Sequence, residues 1–161
     1  MNSTAWIFRW AQACLGHDIT EADLETVRNF VLLWNIFETR FFENKATGNK
    51  VWRASIKVSK EICVSTFDVI RSRYVSDDGS FTNKYAGLFL GSDKELERRT
   101  KEILLAEKEL TDEDRNEVCR IVIWRYRCNL FHGNKNAYYM LEDNKLFEYL
   151  NQYLINVLEQ Q

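Results

Sequence analysis

Proline is missing altogether from this chain of 161 residues. It is the residue that most often ends or kinks a helix, and it stiffens many of the linkers that separate domains. Its absence excludes a proline-rich linker and allows long, uninterrupted helices. Because domains commonly contain about 100–200 residues, we expect one domain over residues 1–161.

Metal-binding side chains are also scarce. The chain has two histidines and four cysteines, and no two cysteines have the CxxC spacing of a zinc site. We therefore expect no metal and no other cofactor. Each cysteine lies in an apolar stretch with helical spacing, which favours buried, reduced thiols and a cytoplasmic location. The cysteines are Cys14, Cys63, Cys119 and Cys128.

Long apolar runs do not occur in the sequence. A membrane-spanning helix needs about 20 consecutive apolar residues, and Arg9 interrupts the short apolar run near the N-terminus. We expect no signal peptide and no association with a membrane.

Acidic residues are missing from two windows, 45–60 and 118–141, although the net charge of the chain is −2. The negative total argues against binding of duplex nucleic acid over the whole surface. The two windows are compatible with a local phosphate-binding site, but basic residues on a solvated helix face are the more common case. The basic residues involved are Lys45, Lys50, Arg53, Lys57 and Lys60, then Arg120, Arg125, Arg127, His132 and Lys135.

A helical pattern of apolar residues covers almost the whole chain. Capping residues and glycines divide it into six predicted helices, at about 2–15, 20–45, 50–74, 92–110, 111–133 and 141–158. The interval 76–91 fits an irregular loop, a short helix or a pair of small strands. The predicted fold is all-α, a single-domain bundle of five or six helices.

Several local predictions follow from the same pattern. The third helix is expected to be continuous and to carry Lys50, Arg53, Lys57 and Lys60 as one basic stripe. Capping boxes are predicted at Thr20, Ser92 and Thr111. The fifth helix should turn five apolar residues inward: Val118, Ile121, Val122, Cys128 and Phe131.

The fifth predicted helix ends in RYRCNLFHGNK, residues 125–135. Arg125, Asn129 and His132 have the i, i+4, i+7 spacing of one helix face, and Arg127 joins them if the last turn unwinds at Gly133. Arginine suits a phosphate, and histidine transfers protons near neutral pH. Without an acidic cluster or a metal site, this set indicates metal-free phosphodiester chemistry on RNA, where the 2′-OH is the nucleophile.

A purely structural role accounts for the same residues. A histidine in the last turn of a helix is favoured by the helix dipole and by the free carbonyl groups there. On spacing alone this role is the more common one. For Cys128 the more common role is that of a packed thiol.

The stretch from Arg127 to Lys135 resembles the signature of the HEPN superfamily. These are all-helical domains that carry Arg, four to six further residues and His near the end of a late helix, and the Asn-Leu-Phe-His-Gly-x-Lys part is similar to stand-alone bacterial and plasmid- or phage-borne members. The resemblance implies a metal-independent endoribonuclease, often a toxin or defence effector controlled by an antitoxin. It also implies a homodimer in which two motifs face each other across a cleft.

The resemblance assigns a role to each residue of the motif. Arg127 stabilises the phosphate, His132 acts as acid or base, and Asn129 orients one of them. Arg125 is the second candidate for the arginine role, and Lys135 contacts phosphate. On this resemblance these five residues form the site.

Two positions depart from the HEPN pattern. Cys128 follows the arginine, where many members have Asn, Asp or His, and Asn134 stands where members paired with nucleotidyltransferase antitoxins have Tyr. Some HEPN domains bind nucleotides or partner proteins without cutting RNA, which is the alternative function. A helical scaffold without either activity is the third.

Overall fold

A computed structural model describes residues 2–15, 19–90, 93–131 and 143–160. The described residues form eight helices and one isolated bridge between Val75 and Phe81, with no longer strand. The helices are α1 (Ser3–Leu15), α2 (Glu21–Phe42), α3 (Gly48–Trp52), α4 (Lys60–Tyr74), α5 (Asn83–Phe89), α6 (Lys94–Leu104), α7 (Asp112–Phe131) and α8 (Asn144–Glu159). The all-α prediction is therefore confirmed for this part of the chain.

Helix α7 lies at the centre of the fold. It packs against α3, α4, α5 and α6, while α8 packs against α2 and α4. Twelve residues of α7 are buried, and they include charged and amide side chains as well as apolar ones. A helix that is covered on most sides must satisfy those polar groups inside the protein.

Two of the three predicted capping boxes are present as expected. The Thr20 hydroxyl accepts from the Asp23 N–H, and the Asp23 carboxylate accepts from the Thr20 N–H. Thr111 and Asp114 form the same pair of bonds at the start of α7. At the third position, Ser92 lies outside the described residues, and the Asp93 side chain makes no capping bond to α6.

The prediction of one continuous helix over residues 50–74 is wrong. The chain forms α3, leaves the helix over residues 53–59, and begins α4 at Lys60. Amide side chains of α7 and α8 satisfy the backbone of the connecting segment. Asn116 Nδ2 donates to the carbonyl of Ile56 at 3.0 Å, and Asn156 Oδ1 accepts from the N–H of Ser59 at 2.8 Å.

This split accounts for part of the difference in helix count, and α5 accounts for the rest. In the interval predicted to be a loop, a short helix or two strands, the structure has the short helix over residues 83–89 together with the isolated bridge. Helix α6 ends at Leu104, before the predicted end near Leu110.

The core prediction for α7 is correct for most residues. Val118, Ile121 and Val122 are fully buried and Cys128 is 8% exposed, but Phe131 is 53% exposed. The prediction that Phe131 faces inward is therefore wrong. None of the described helices is long and apolar enough to cross a membrane.

Phe147 joins three helices at the centre of the core. It is fully buried, and its ring lies edge-on to Phe30 of α2 and to Tyr126 of α7, with centroid distances of 5.2 Å in both cases. We expect Phe147→Ala to lower the free energy of unfolding by about 3–5 kcal/mol, because it leaves a cavity at this junction. Urea unfolding measures the change.

The matched control is Phe131→Ala, which removes the same ring from an exposed position and should cost about 0.5 kcal/mol. Equal losses for the two variants would contradict the central placement of Phe147.

Candidate functional site

Arg125 and Asn129 lie on the face of α7 that meets the end of α5. Arg125 is 4% exposed, and its guanidinium donates to the backbone carbonyls of Leu88 at 3.1 Å and Phe89 at 3.2 Å. Asn129 donates to the same Leu88 carbonyl at 3.2 Å and accepts from Arg125 at 3.4 Å. Together they satisfy carbonyl groups that the short helix α5 cannot satisfy itself.

Asp93 completes this arrangement from the start of α6. Its backbone is left-handed, with φ 53°, and its carboxylate accepts from Arg125 Nη1 at 2.5 Å. The Arg125 guanidinium is thus occupied by one carboxylate and two carbonyls. The structure places Arg125 in a buried clamp between α5, α6 and α7, where a phosphate would have to displace several strong hydrogen bonds.

Arg127 lies on a different face of α7, because residues two apart on a helix are separated by about 200°. Its guanidinium carbon is 5.4 Å from the ring centroids of both Trp124 and Phe131, and 6.0 Å from that of Trp34 on α2. Trp34 and Trp124 are themselves 5.8 Å apart. Aromatic faces attract cations, so these three rings hold the guanidinium in place.

The charge of Arg127 is balanced differently from that of Arg125. Among the described residues no carboxylate forms an ion pair with Arg127, and its buried Nε has no hydrogen-bond partner. Its position near the carboxyl end of α7 lets the helix dipole favour the positive charge. An arginine held by aromatic rings, without a carboxylate, retains the capacity to bind an anion.

Cys128 lies between the two faces and is buried. Burial raises the pKa of its thiol, and the positive charges of Arg125 and Arg127 only partly oppose this effect. A thiol with a raised pKa is mostly protonated at neutral pH and is a poor nucleophile. This geometry fits a packed thiol.

His132 and Lys135 lie outside the described residues. Of the five predicted site residues, the structure therefore locates Arg125, Arg127 and Asn129. It brings Arg125 and Asn129 together at α5, whereas Arg127 contacts the aromatic side chains of α2 and α7.

A buried polar network involves Asp143, which directly precedes α8. Asp143 is 4% exposed, forms an ion pair with Arg73 of α4, and accepts a hydrogen bond from the Tyr126 hydroxyl at 2.7 Å. The Tyr126 hydroxyl is also 3.1 Å from the Tyr74 hydroxyl. Burial raises the pKa of Tyr74 to about 12. The network ties α4, α7 and the start of α8 together through Tyr126, which directly precedes Arg127.

No group of three or more histidine, cysteine or acidic side chains in the described ranges is arranged to hold a metal ion. Two acidic side chains of α7 are paired with an arginine of α6: Arg99 donates to Glu117 at 2.8 Å and to Asp114 at 3.0 Å.

Comparisons of the chain with protein-family models, curated proteins and solved structures found no match. The resemblance to HEPN domains therefore rests on the motif at residues 127–135 and remains a prediction.

Sequence reasoning did not identify the aromatic surroundings of Arg127. Trp34 has the spacing of a core residue of α2, and it is indeed 1% exposed. Trp124 is three residues before Arg127, a spacing that places two side chains side by side on a helix. Phe131 is four residues after Arg127, a spacing with the same meaning, so the sequence offered two such signals.

Arg125 and Arg127 should respond differently to the same substitution. We expect Arg125→Met to lower the free energy of unfolding by about 3 kcal/mol, because it removes the buried donor to the Leu88 and Phe89 carbonyls and to Asn129 Oδ1, and leaves Asp93 without its cation. Arg127→Met should cost about 1 kcal/mol, the value of lost cation–π contacts. Chemical denaturation of the two variants provides the comparison, and a larger loss for Arg127→Met would contradict this division of roles.

Proposed function

We propose that the protein is a metal-independent endoribonuclease in which Arg127 and His132 act on the scissile phosphate. The observation that supports this proposal most directly is the state of Arg127. It is held between aromatic rings near the end of α7, has no carboxylate partner in the described part of the chain, and stands five residues before His132. Arg125 is the weaker candidate because its donors are bound to α5 and Asp93.

The proposed reaction uses the substrate's own nucleophile. The 2′-oxygen of RNA attacks the adjacent phosphorus, a new O2′–P bond forms, and the P–O5′ bond breaks. One proton leaves the 2′-OH and one is delivered to the 5′-oxygen, and His132 carries out one of these transfers. Arg127 stabilises the additional negative charge that develops on the phosphate oxygens. The products carry 2′,3′-cyclic phosphate and 5′-OH ends.

In this proposal Asn129 supports the site indirectly. Its amide is bound to the Leu88 carbonyl and to Arg125, so it fixes α7 against α5. Lys135 provides a further positive charge for the RNA close to His132 in the sequence.

The proposal includes a homodimer, because the resemblance implies two motifs that face each other across a cleft. It also includes the biological role of a toxin or defence effector held in check by an antitoxin. Sedimentation equilibrium tests the first of these points directly.

One observation favours the alternative of a nucleotide- or partner-binding module without nuclease activity. Among its described neighbours, Arg127 contacts aromatic rings, while the Asn129 amide that would orient a catalytic group is directed to α5. A cation beside aromatic faces is suited to binding a base and its phosphate without cutting either.

Cleavage of RNA in the presence of EDTA tests the proposed function. We expect the wild-type protein to cleave, and His132→Ala to reduce the rate by about 10²–10⁴-fold, the usual contribution of general acid–base catalysis. Arg127→Ala should reduce it by about 10²–10³-fold, as expected for loss of one group that stabilises transition-state charge. Analysis of the product ends should identify 2′,3′-cyclic phosphates.

The chain offers a matched control for each variant. His17→Ala removes the other histidine, and Arg28→Ala removes an exposed arginine of α2; both should retain wild-type rates. If no protein cleaves RNA while the wild type binds it with Arg127-dependent affinity, the alternative module replaces the nuclease.

A further inference from the structure

The first acid-free window, 45–60, does not form one stripe in the folded protein. Lys45 and Lys50 lie in the α2–α3 connection and in α3, whereas Lys57 lies in the non-helical segment 53–59 and Lys60 begins α4. Lys60 pairs with Asp112 at the first residue of α7, at 3.3 Å. Arg127 is fifteen residues further along α7, a distance of about 22 Å along the helix axis. The fold therefore divides the window into two regions.

Glu38 connects the Lys45 region to the rings around Arg127. One of its carboxylate oxygens accepts from Trp34 Nε1 at 2.9 Å, and the other accepts from the N–H of Ala46 at 3.3 Å. Trp34 in turn lies against Arg127 and Trp124. Glu38 thus holds both the α2–α3 connection and Trp34. Trp34 forms one wall of the Arg127 site, which consists of Arg127 and the rings of Trp34, Trp124 and Phe131.

Gly48 makes a second connection between these two regions. A Cβ atom at this position would lie 3.1 Å from Trp124 Nε1 and 2.9 Å from Leu96 Cδ1. Glycine therefore allows the start of α3 to approach the Trp124 indole closely. Because Trp124 also lies beside Arg127, the start of α3 and the Arg127 guanidinium share one aromatic neighbour.

Left-handed residues and local hydrogen bonds shape the α2–α3 connection. Glu43 and Asn44 both adopt left-handed conformations, with φ 52° and 58°. The Asn44 side chain accepts from the Thr39 hydroxyl at 2.7 Å, and the Lys50 ammonium donates to the Lys45 carbonyl at 3.1 Å. Lys45 and Lys50 are consequently held close to each other.

Charge pairing separates these lysines from Arg53 and Lys60 of the same window. Arg53 lies 4.0 Å from Glu95, and Lys60 is paired with Asp112. In the described part of the chain neither Lys45 nor Lys50 has a carboxylate partner, and both are exposed. The nearby acids are Glu38, whose carboxylate is bound to Trp34 and Ala46, and the exposed Glu43.

We infer that Lys45 and Lys50 form a binding surface for the phosphodiester backbone of a single RNA strand, and that the packing of Trp34 and Trp124 connects this surface to the Arg127 site. This inference rests on the proposed function for the identity of the ligand as RNA. An unpaired strand fits best, because its exposed bases stack on aromatic rings while its phosphates follow positive charges. Phe131, with its half-exposed ring beside Arg127, is the side chain available for such stacking.

The salt dependence of binding tests the inference. The probe is a short single-stranded oligonucleotide that carries 2′-O-methyl groups throughout, so it has no 2′-OH to act as nucleophile. Each phosphate contact contributes about 0.7 to the slope of log K against log salt for a single strand. We expect the double variant Lys45→Gln/Lys50→Gln to bind more weakly and to reduce the slope by about 1.4.

Lys57→Gln/Lys60→Gln is the matched control. It changes the net charge by the same amount within the same sequence window but at the other end of α7, and its slope should equal that of the wild type. Thermal unfolding of both double variants should match the wild type, since all four side chains are exposed.

The possible results separate the two proposals. An unchanged slope for Lys45→Gln/Lys50→Gln, or an equal reduction for the control, overturns the binding surface even if the wild type cleaves RNA. A reduced slope for the first variant alone supports the surface even if the wild type cleaves nothing, in which case the nuclease proposal fails on its own test. Absence of binding by the wild type overturns the surface.

Discussion

The burial of α7 is the constraint on which the rest of the fold depends. A helix covered by α3, α4, α5 and α6 has little access to water, yet its sequence is rich in polar side chains. Those side chains bind backbone carbonyls of the surrounding segments. Asn116 binds Ile56, Arg120 binds Trp52, and Arg125 binds Leu88 and Phe89. In this way the central helix supplies partners for connections and helix ends that would otherwise be unsatisfied.

Arg127 departs from this rule. It contacts three aromatic rings, and in the described part of the chain it is neither bound to a carbonyl nor paired with a carboxylate. The two neighbouring arginines of one motif therefore have different tasks. Arg125 joins the end of α5 to the start of α6 through hydrogen bonds. Arg127 makes no such bonds to the described residues of α5 or α6 and places a positive charge near the end of the helix.

The class of the fold was predictable from the sequence because local signals determine it. Apolar periodicity identifies helices, and the Thr20 and Thr111 capping boxes fix where two of them begin. The break after Trp52 was not predictable, because residues 53–59 contain neither proline nor glycine. Their non-helical backbone is stabilised by Asn116 and Asn156, which are distant in sequence. Tertiary contacts of this kind override local helix propensity.

The candidate site shows the same limit. The spacing of Arg125 and Asn129 predicts that they share a helix face, but nothing in the sequence reveals that this face meets the carbonyl end of α5. The exposure of Phe131 was also missed. A periodic pattern identifies the buried face of a helix, but it does not show at which residue neighbouring elements stop covering that face. Likewise, four basic residues in one acid-free window appear as a single stripe until an intervening non-helical segment separates them.

The position of α8 has a consequence for the order in which the chain folds. Helices α2 and α4 both pack against α8, and the Arg73–Asp143 ion pair joins segments that are far apart in sequence. During synthesis, α2 and α4 lack their partner until the ribosome has passed the codons of α8, so the core closes late. Trp34, which forms one wall of the Arg127 site, belongs to α2. We therefore expect the rings around Arg127 to come together only after α8 has been synthesised.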